Sequence, residues 1–308
     1  MTDLIARALH ALAAVFARLP WPWLMAAGDA LAALWLRRDV RESRVARINL
    51  RLAYPGLRPA EREALHRAVL RTTARQLVET LRLWSRPRHE NLALLRETHG
   101  VERFDAAIAS GRGVIVAAPH HGNWELLNQW LANHTALAIL YRPPESAIGE
   151  AFLNRVRASH GDPDRVTQVR AEGAAVRQLF KLLRDGGVVG ILPDQQPKAG
   201  DGEFAPFFGV PALTMTLVGR LAGRTGATVL FAWCERIGSE RDRPAFALHF
   251  DEAPPAIADA DPAVAVAALN AAVERIARRD PAQYQWTYKR YTLRPPGSGE
   301  ENPYYEPR

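Results

Sequence analysis

Gly113-Val114-Ile115-Val116-Ala117-Ala118, running straight into Pro119-His120-His121-Gly122-Asn123-Trp124-Glu125, is the stretch on which the reading of this chain turns. A run of small and β-branched residues bounded by Gly and Pro predicts a short strand over 113–118, buried on both faces as inside a parallel sheet. Pro119 ends it, and residues 125–132 carry a helical apolar pattern. The passage is therefore strand, tight loop, helix. It sets an imidazole at the strand's carboxyl end and a carboxylate five positions later on the first helical turn. Open α/β sheets bind their ligands at that end of the strands.

Outward from this unit the pattern repeats. Residues 136–141, 188–192, 228–233 and 246–250 read as further strands, and 148–159, 172–184, 214–224 and 262–278 as amphipathic helices between or after them. Strands alternating with helices predict an α/β fold with a mostly parallel central sheet flanked by helices. Upstream, Leu65, Val69, Leu77, Leu81 and Trp84 recur at helical spacing behind Pro59, which predicts one long helix over 59–84.

The first 36 residues are two apolar runs, interrupted by Arg18 and Pro20, with Asp29 inside the second. Neither reaches the roughly 18 to 20 uninterrupted apolar residues of a spanning helix. Two readings stand: a monotopic or in-plane anchor over 1–38 with Trp21, Trp23 and Trp35 at the lipid boundary, or an ordinary pair of core helices. On the first reading Arg37, Arg38, Arg41, Arg44, Arg47 and Arg51 face anionic lipid; on the second they are a solvated face. The main domain is expected over 39–293, and the Pro/Gly-rich end, 294–308, as a loose tail.

Composition sets limits on function. With 308 residues, 48% apolar and 24% charged, the chain has the balance of a folded protein. Its net charge of +7 comes from arginine, since Lys181, Lys198 and Lys289 are the only lysines. A guanidinium excess suits an anionic partner, although codon bias accounts for it equally well. The single Cys234 rules out an internal disulfide, and His121 and His134 have no companion ligand set, so no metal is expected. The nucleophile elbow of serine hydrolases, the phosphate-binding loop and the dinucleotide-binding turn are all missing. The basic residues follow no nucleic-acid reader motif.

His120 with Glu125 is the candidate chemistry. If the loop folds so that Glu125 accepts a hydrogen bond from one ring nitrogen, the other nitrogen is left as a general base toward substrate. Gly122 permits close backbone approach, and N–H groups opening the helix are candidates to meet a developing anion.

The string HHGNWE resembles the His-x4-Asp/Glu motif of the glycerolipid and lipid A acyltransferases, and further blocks resemble the lipid A late acyltransferases in order. These are Ile48-Asn49-Leu50-Arg51-Leu52-Ala53-Tyr54-Pro55; Tyr141-Arg142-Pro143 with 154–157 and Gly161; Leu192-Pro193-Asp194-Gln195-Gln196 with Pro206-Phe207-Phe208-Gly209 and 212–214; and Tyr284-Gln285-Trp286-Thr287-Tyr288-Lys289-Arg290-Tyr291. The resemblance spans about 41–291. It implies a glycerolipid-acyltransferase-like fold at the cytoplasmic face of a bacterial inner membrane, and transfer of a fatty acyl group from an acyl carrier protein or coenzyme A thioester to a hydroxyl of an anionic membrane lipid, a lipid A precursor. No other cofactor is implied. Alternatives are the same transfer to another glycolipid, an aminolipid or a polyene lipid, and, outside enzymes, a membrane-bound lipid-binding scaffold.

Under the resemblance His120 is the base and Glu125 its orienting acid. Arg157 is a candidate for an oxyanion or phosphate contact, with Arg142 second, a surface ion pair being the competing use of each. Asn123 and Trp124 are expected beside substrate. Asp194 and Gln195 are expected to brace the site or bind donor, or else to cap a loop. Phe207, Phe208 and Trp124 are expected either in an acyl channel or in core packing.

Overall fold

The computed structural model describes residues 2–141, 146–152, 165–170, 173–238 and 243–305. Its centre is a seven-stranded sheet of β1 (Leu95–His99), β2 (Val114–Ala117), β3 (Leu137–Tyr141), β4 (Val166–Arg170), β5 (Val188–Ile191), β8 (Thr228–Ile237) and β9 (Ala245–Glu252), in the order β1-β9-β8-β2-β5-β3-β4. All neighbouring pairs are parallel except β8 with β9. The expected mostly parallel α/β sheet is therefore present, with β2 as its middle strand. β2 is buried at all four residues. Alternation divides them, Ile115 and Ala117 entering one core cluster and Val114 and Val116 the other.

Helices cover both faces. α6 (Val101–Ala109) and α7 (Trp124–His134) supply Phe104, Leu126, Leu127, Trp130 and Leu131 to the Val114 side. On the other side lie α8 (Gly173–Arg184), α9 (Leu217–Thr225) and α10 (Pro262–Ala277), giving Leu179, Leu183, Leu221, Leu269 and Val273 among others. The long helix α4 is found at Pro59–Ser85, with Pro in its first turn as expected.

Several elements differ from expectation. β1 and β4 are sheet-edge strands with mostly exposed, polar sequences, LRETH and VTQVR, so no apolar run announced them. A separate antiparallel hairpin, β6 (Gly202–Phe207) with β7 (Val210–Met215), carries Pro206 and Pro211, which argue against strands in sequence. Phe208 (φ 52°) and Gly209 (φ 76°) turn it. Because Thr214 and Met215 complete β7, the helix expected from 214 starts at Leu217. Of the helix expected over 148–159, residues 147–152 are helical and the remainder lies outside the described residues.

At the N-terminus α1 (Thr2–Phe16), α2 (Trp21–Arg38) and α3 (Arg41–Ala53) lead into α4. α2 crosses α4 so closely that a Cβ on Gly28 would stand 3.0 Å from the Arg75 Cα. Asp29 takes paired hydrogen bonds of 2.6–2.8 Å from both Arg71 and Arg75; the hydrogen bond from Arg71 first, against the cost of burial, holds its carboxyl below the usual range. Arg82 donates to the carbonyls of Ala17 and Leu19 and lies over the Trp21 ring. No helix among the described residues is long and apolar enough to cross a membrane. Trp21 and Trp35 are partly buried against core residues, whereas Trp23 is 69% exposed, as are Leu12 at 66% and Val15 at 62%. The segment 294–305 is docked, not loose: Tyr304 is buried, its hydroxyl meets Asn49 and accepts from the Tyr291 N–H, and Arg294 donates to the Pro211 carbonyl.

Candidate active site

β2 and β5 are parallel neighbours in register, Ala117 opposite Ile191. His120 lies three residues beyond Ala117 and Asp194 three beyond Ile191, so equal offsets bring them face to face above the carboxyl end of the sheet. Asp194 accepts twice from His120, through Oδ2 from the backbone N–H at 2.9 Å and through Oδ1 from Nδ1 at 2.7 Å. Burial works against the charge of Asp194, but the charge and hydrogen bonds of His120, with help from Tyr284, prevail and keep its carboxyl below the usual range. A carboxylate on Nδ1 requires the Nδ1–H tautomer, which leaves Nε2 with a free lone pair. Gln195 Nε2 lies 3.2 Å from that atom. Since a neutral Nε2 accepts only, the amide nitrogen donates to it.

The loop bearing His120 is clamped by three distant elements, the closing segment, β8 and α4. Gln285 N–H donates to the His120 carbonyl, Gly122 N–H to Gln283, and Asn123 N–H to Cys234. From α4, Gln76 reaches the Gly122 carbonyl at 2.6 Å, and Glu79, itself paired with Arg236, accepts from the Asn123 amide. Gly122 has φ +64°, and a Cβ there would stand 2.0 Å from the Cys234 carbonyl oxygen, so no other residue fits. Asn123 caps α7 by accepting from Leu126 N–H at 3.0 Å. The N–H groups of His120, His121, Gly122, Asn123, Leu126 and Leu127 are thus all engaged within the protein. The N–H groups of the loop before α7 are therefore committed inside the protein and are not the ones that can meet an anion.

A part-buried imidazole held in one tautomer by a carboxylate, with its second nitrogen toward the half-buried Gln195, is equipped to take a proton from an incoming group. Comparison with known proteins specifies the chemistry: the model of the bacterial lipid A biosynthesis acyltransferases matches residues 4–292. The chain belongs to that family. It is an acyltransferase. It is 26% identical over 290 residues to the lipid A biosynthesis palmitoleoyltransferase of Escherichia coli strain K12, covering 92% of this chain and 89% of that protein. With the lauroyltransferase of the same organism it shares 24% over 282 residues, 91% and 89% of the two chains. It is also 29% identical over 150 residues, 47% of this chain and 46% of the other, to the phosphatidylinositol mannoside acyltransferase of Mycobacterium tuberculosis.

Within this lipid A acyltransferase family member the residues singled out from sequence are distributed unevenly. His120, Asp194 and Gln195 converge. The orienting contact expected from Glu125 is made at Nδ1 by Asp194; Glu125 stands half-buried on the first turn of α7. Trp124 presents its ring edge-on to the imidazole, centroids 6.4 Å apart. Asn123 is 1% exposed and its amide serves the helix cap and Glu79. Phe207 and Phe208 are buried in an aromatic cluster with Tyr54, Tyr284 and Trp286, so packing is the use the fold makes of them. Phe207 also lines a small cavity together with Asn49, Asp194, Gln195, Tyr284 and Arg290. Arg142 and Arg157 lie outside the described residues. No group of three or more potential metal ligands occurs among the described residues.

The supporting residues Gln76, Glu79, Arg236 and Gln283 escaped the sequence reading, being scattered polar positions on separate elements. The partnership of Asp194 with His120 follows from the adjacency of β2 and β5, which the linear order of the apolar runs does not reveal.

Proposed function

We propose that this acyltransferase moves a fatty acyl group from an acyl carrier protein or coenzyme A thioester onto a hydroxyl of a lipid A precursor, with His120 as general base. The observation that carries the reading is the 2.7 Å contact of Asp194 with Nδ1, which directs the lone pair of Nε2 at the reacting group. The acceptor hydroxyl loses its proton to Nε2 as its oxygen bonds to the thioester carbonyl carbon, since an alcohol is too weak an acid to ionise beforehand. Collapse of the tetrahedral intermediate breaks the carbon–sulfur bond, and the imidazolium returns the proton to the leaving thiolate. The products are an ester and a free thiol. Asp194 stabilises the imidazolium between these steps.

Glu125, a second carboxylate on the adjoining helix, is assigned to the same imidazolium, and Arg157 and Arg142 to acceptor phosphates. The Escherichia coli relatives, a lipid A palmitoleoyltransferase and a lauroyltransferase, support a lipid A acceptor over the mannoside of the mycobacterial one, which aligns over about half as much of the chain. Exposed Leu9, Leu12, Val15, Leu19 and Trp23, with an arginine-rich α3, support binding to an anionic leaflet, the cytoplasmic face of the inner membrane.

The test is incubation of purified protein with a tetra-acylated lipid A precursor and an acyl-carrier thioester, followed by mass spectrometry. One added acyl group is expected. Acylation of another membrane lipid in the same mixture, with the precursor untouched for every donor chain length, would overturn the acceptor assignment.

A further inference from the structure

Every backbone N–H of the loop from His120 to Asn123 is committed inside the protein, as are those of Leu126 and Leu127. The tetrahedral intermediate of acyl transfer nevertheless carries a full negative charge on the former carbonyl oxygen, and it forms beside Nε2 of the base. A side-chain donor hydrogen-bonded to Nε2 is placed to meet that charge. Among the described residues the amide of Gln195 is the side chain so placed, 3.2 Å from Nε2.

The surroundings of this amide separate a fixed backbone from a mobile end. Asp194 ties the preceding residue to His120 through two hydrogen bonds. Gln196, the following residue, is held by the Tyr288 hydroxyl on its N–H at 3.1 Å and by Leu293 N–H on its side-chain oxygen at 2.9 Å. Gln195 itself is half-buried, and its amide has no other hydrogen-bond partner among the described residues. Its contact with His120 is one neutral hydrogen bond at 3.2 Å, which an incoming hydroxyl replaces with a hydrogen bond of the same kind.

We propose that Gln195 is a catalytic residue with two successive partners. In the free enzyme its amide caps the lone pair of His120 Nε2; when the acceptor hydroxyl takes that place, the displaced amide donates to the thioester oxygen as it becomes an oxyanion. The inference rests on His120 acting as the base. The same exchange keeps Nε2 from meeting water while no acceptor is bound, which protects the donor thioester from hydrolysis.

Gln195→Ala, Gln195→Glu and His120→Ala enzymes are compared with the parent in acyl transfer, with thermal unfolding as the check on folding. Diethyl pyrocarbonate modification is followed peptide by peptide by mass spectrometry; His121, fully buried, is the internal control. Gln195→Ala should lower kcat by about 10²- to 10³-fold, the loss typical of one oxyanion donor, with KM changed only a few-fold. His120 in the same variant should react severalfold faster with the reagent, its lone pair being uncapped. Gln195→Glu keeps the shape but sets a carboxylate against the oxyanion, so it should be no faster than Gln195→Ala. Near-normal kcat in either variant, or unchanged His120 reactivity in Gln195→Ala, would overturn the proposal. An active His120→Ala enzyme would instead remove the base assignment on which it rests.

Discussion

His121 sits beside the base in sequence and has the opposite environment. It is fully buried, neither ring nitrogen has a hydrogen-bond partner among the described residues, and burial pushes its pKa down to about 4 despite the nearby acids Glu235 and Asp280. An unfolded chain binds this proton near pH 6.5, while the folded protein refuses it until about pH 4. The unfolded state therefore holds more protons across that window. Stability from this residue is complete above pH 6.5 and is lost as pH falls toward 4. His121→Phe should flatten the decline in urea-unfolding free energy between pH 7 and 4.5 by about 2 kcal/mol; an unchanged slope would place the acid sensitivity elsewhere. At this scale His120 was legible in sequence, because a histidine after an apolar run and before a helix has a restricted position. Its contact with Asp194 was not, because β2 and β5 are neighbours in space with β3 and β4 between them in sequence. Spacing along one segment favoured Glu125, and only strand order brings Asp194 forward.

Among the elements, the apolar strands β2, β3, β5 and β8 and the helices after them were legible because each is buried on a defined face. The polar edges β1 and β4 and the proline-bearing hairpin were not, because their backbone pairing owes little to an apolar pattern. The closing segment illustrates how the elements depend on one another. Asn49 on α3 donates to the carbonyls of Trp286 at 2.6 Å and Tyr288 at 2.7 Å, and Tyr304 binds the same side chain. That segment in turn engages His120 and Gly122 through Gln285 and Gln283. Asn49→Ala leaves two carbonyls and the Tyr304 hydroxyl without their partner, at about 1–3 kcal/mol for each fully buried group. A fall of several degrees in Tm is expected, together with reduced kcat, because the catalytic loop loses part of its clamp. Unchanged Tm by circular dichroism would mean that the segment is held by its aromatic packing alone.

For the molecule as a whole, no helix among the described residues is long and apolar enough to span a membrane, and hydropathy could not apportion each N-terminal helix between core and surface. Asp29 shows why: a carboxylate inside an apolar run is accommodated because Arg71 and Arg75 meet it from α4. The outward residues remain, with Leu12 at 66%, Val15 at 62% and Trp23 at 69% exposure. Replacing Leu12 and Val15 by Glu, and Trp23 by Ala, should lower cosedimentation with anionic vesicles by at least about tenfold, since each buried apolar side chain contributes about 1.5–3 kcal/mol. Raised salt should weaken the parent's binding through the screened arginine contribution. Full retention of the triple variant would move the membrane contact to another face.

The orientation of the base is the central claim, and a double-mutant cycle on kcat/KM tests it most directly. His120→Ala, Asp194→Asn, their combination, and Glu125→Gln with and without His120→Ala are measured in one acyl-transfer assay. Asp194→Asn should reduce kcat/KM by about 10²- to 10⁴-fold, and the His120/Asp194 double variant should be no slower than His120→Ala, as for groups that act as one unit. Near-parental activity in Asp194→Asn, with Glu125→Gln showing the large non-additive loss instead, would contradict the account.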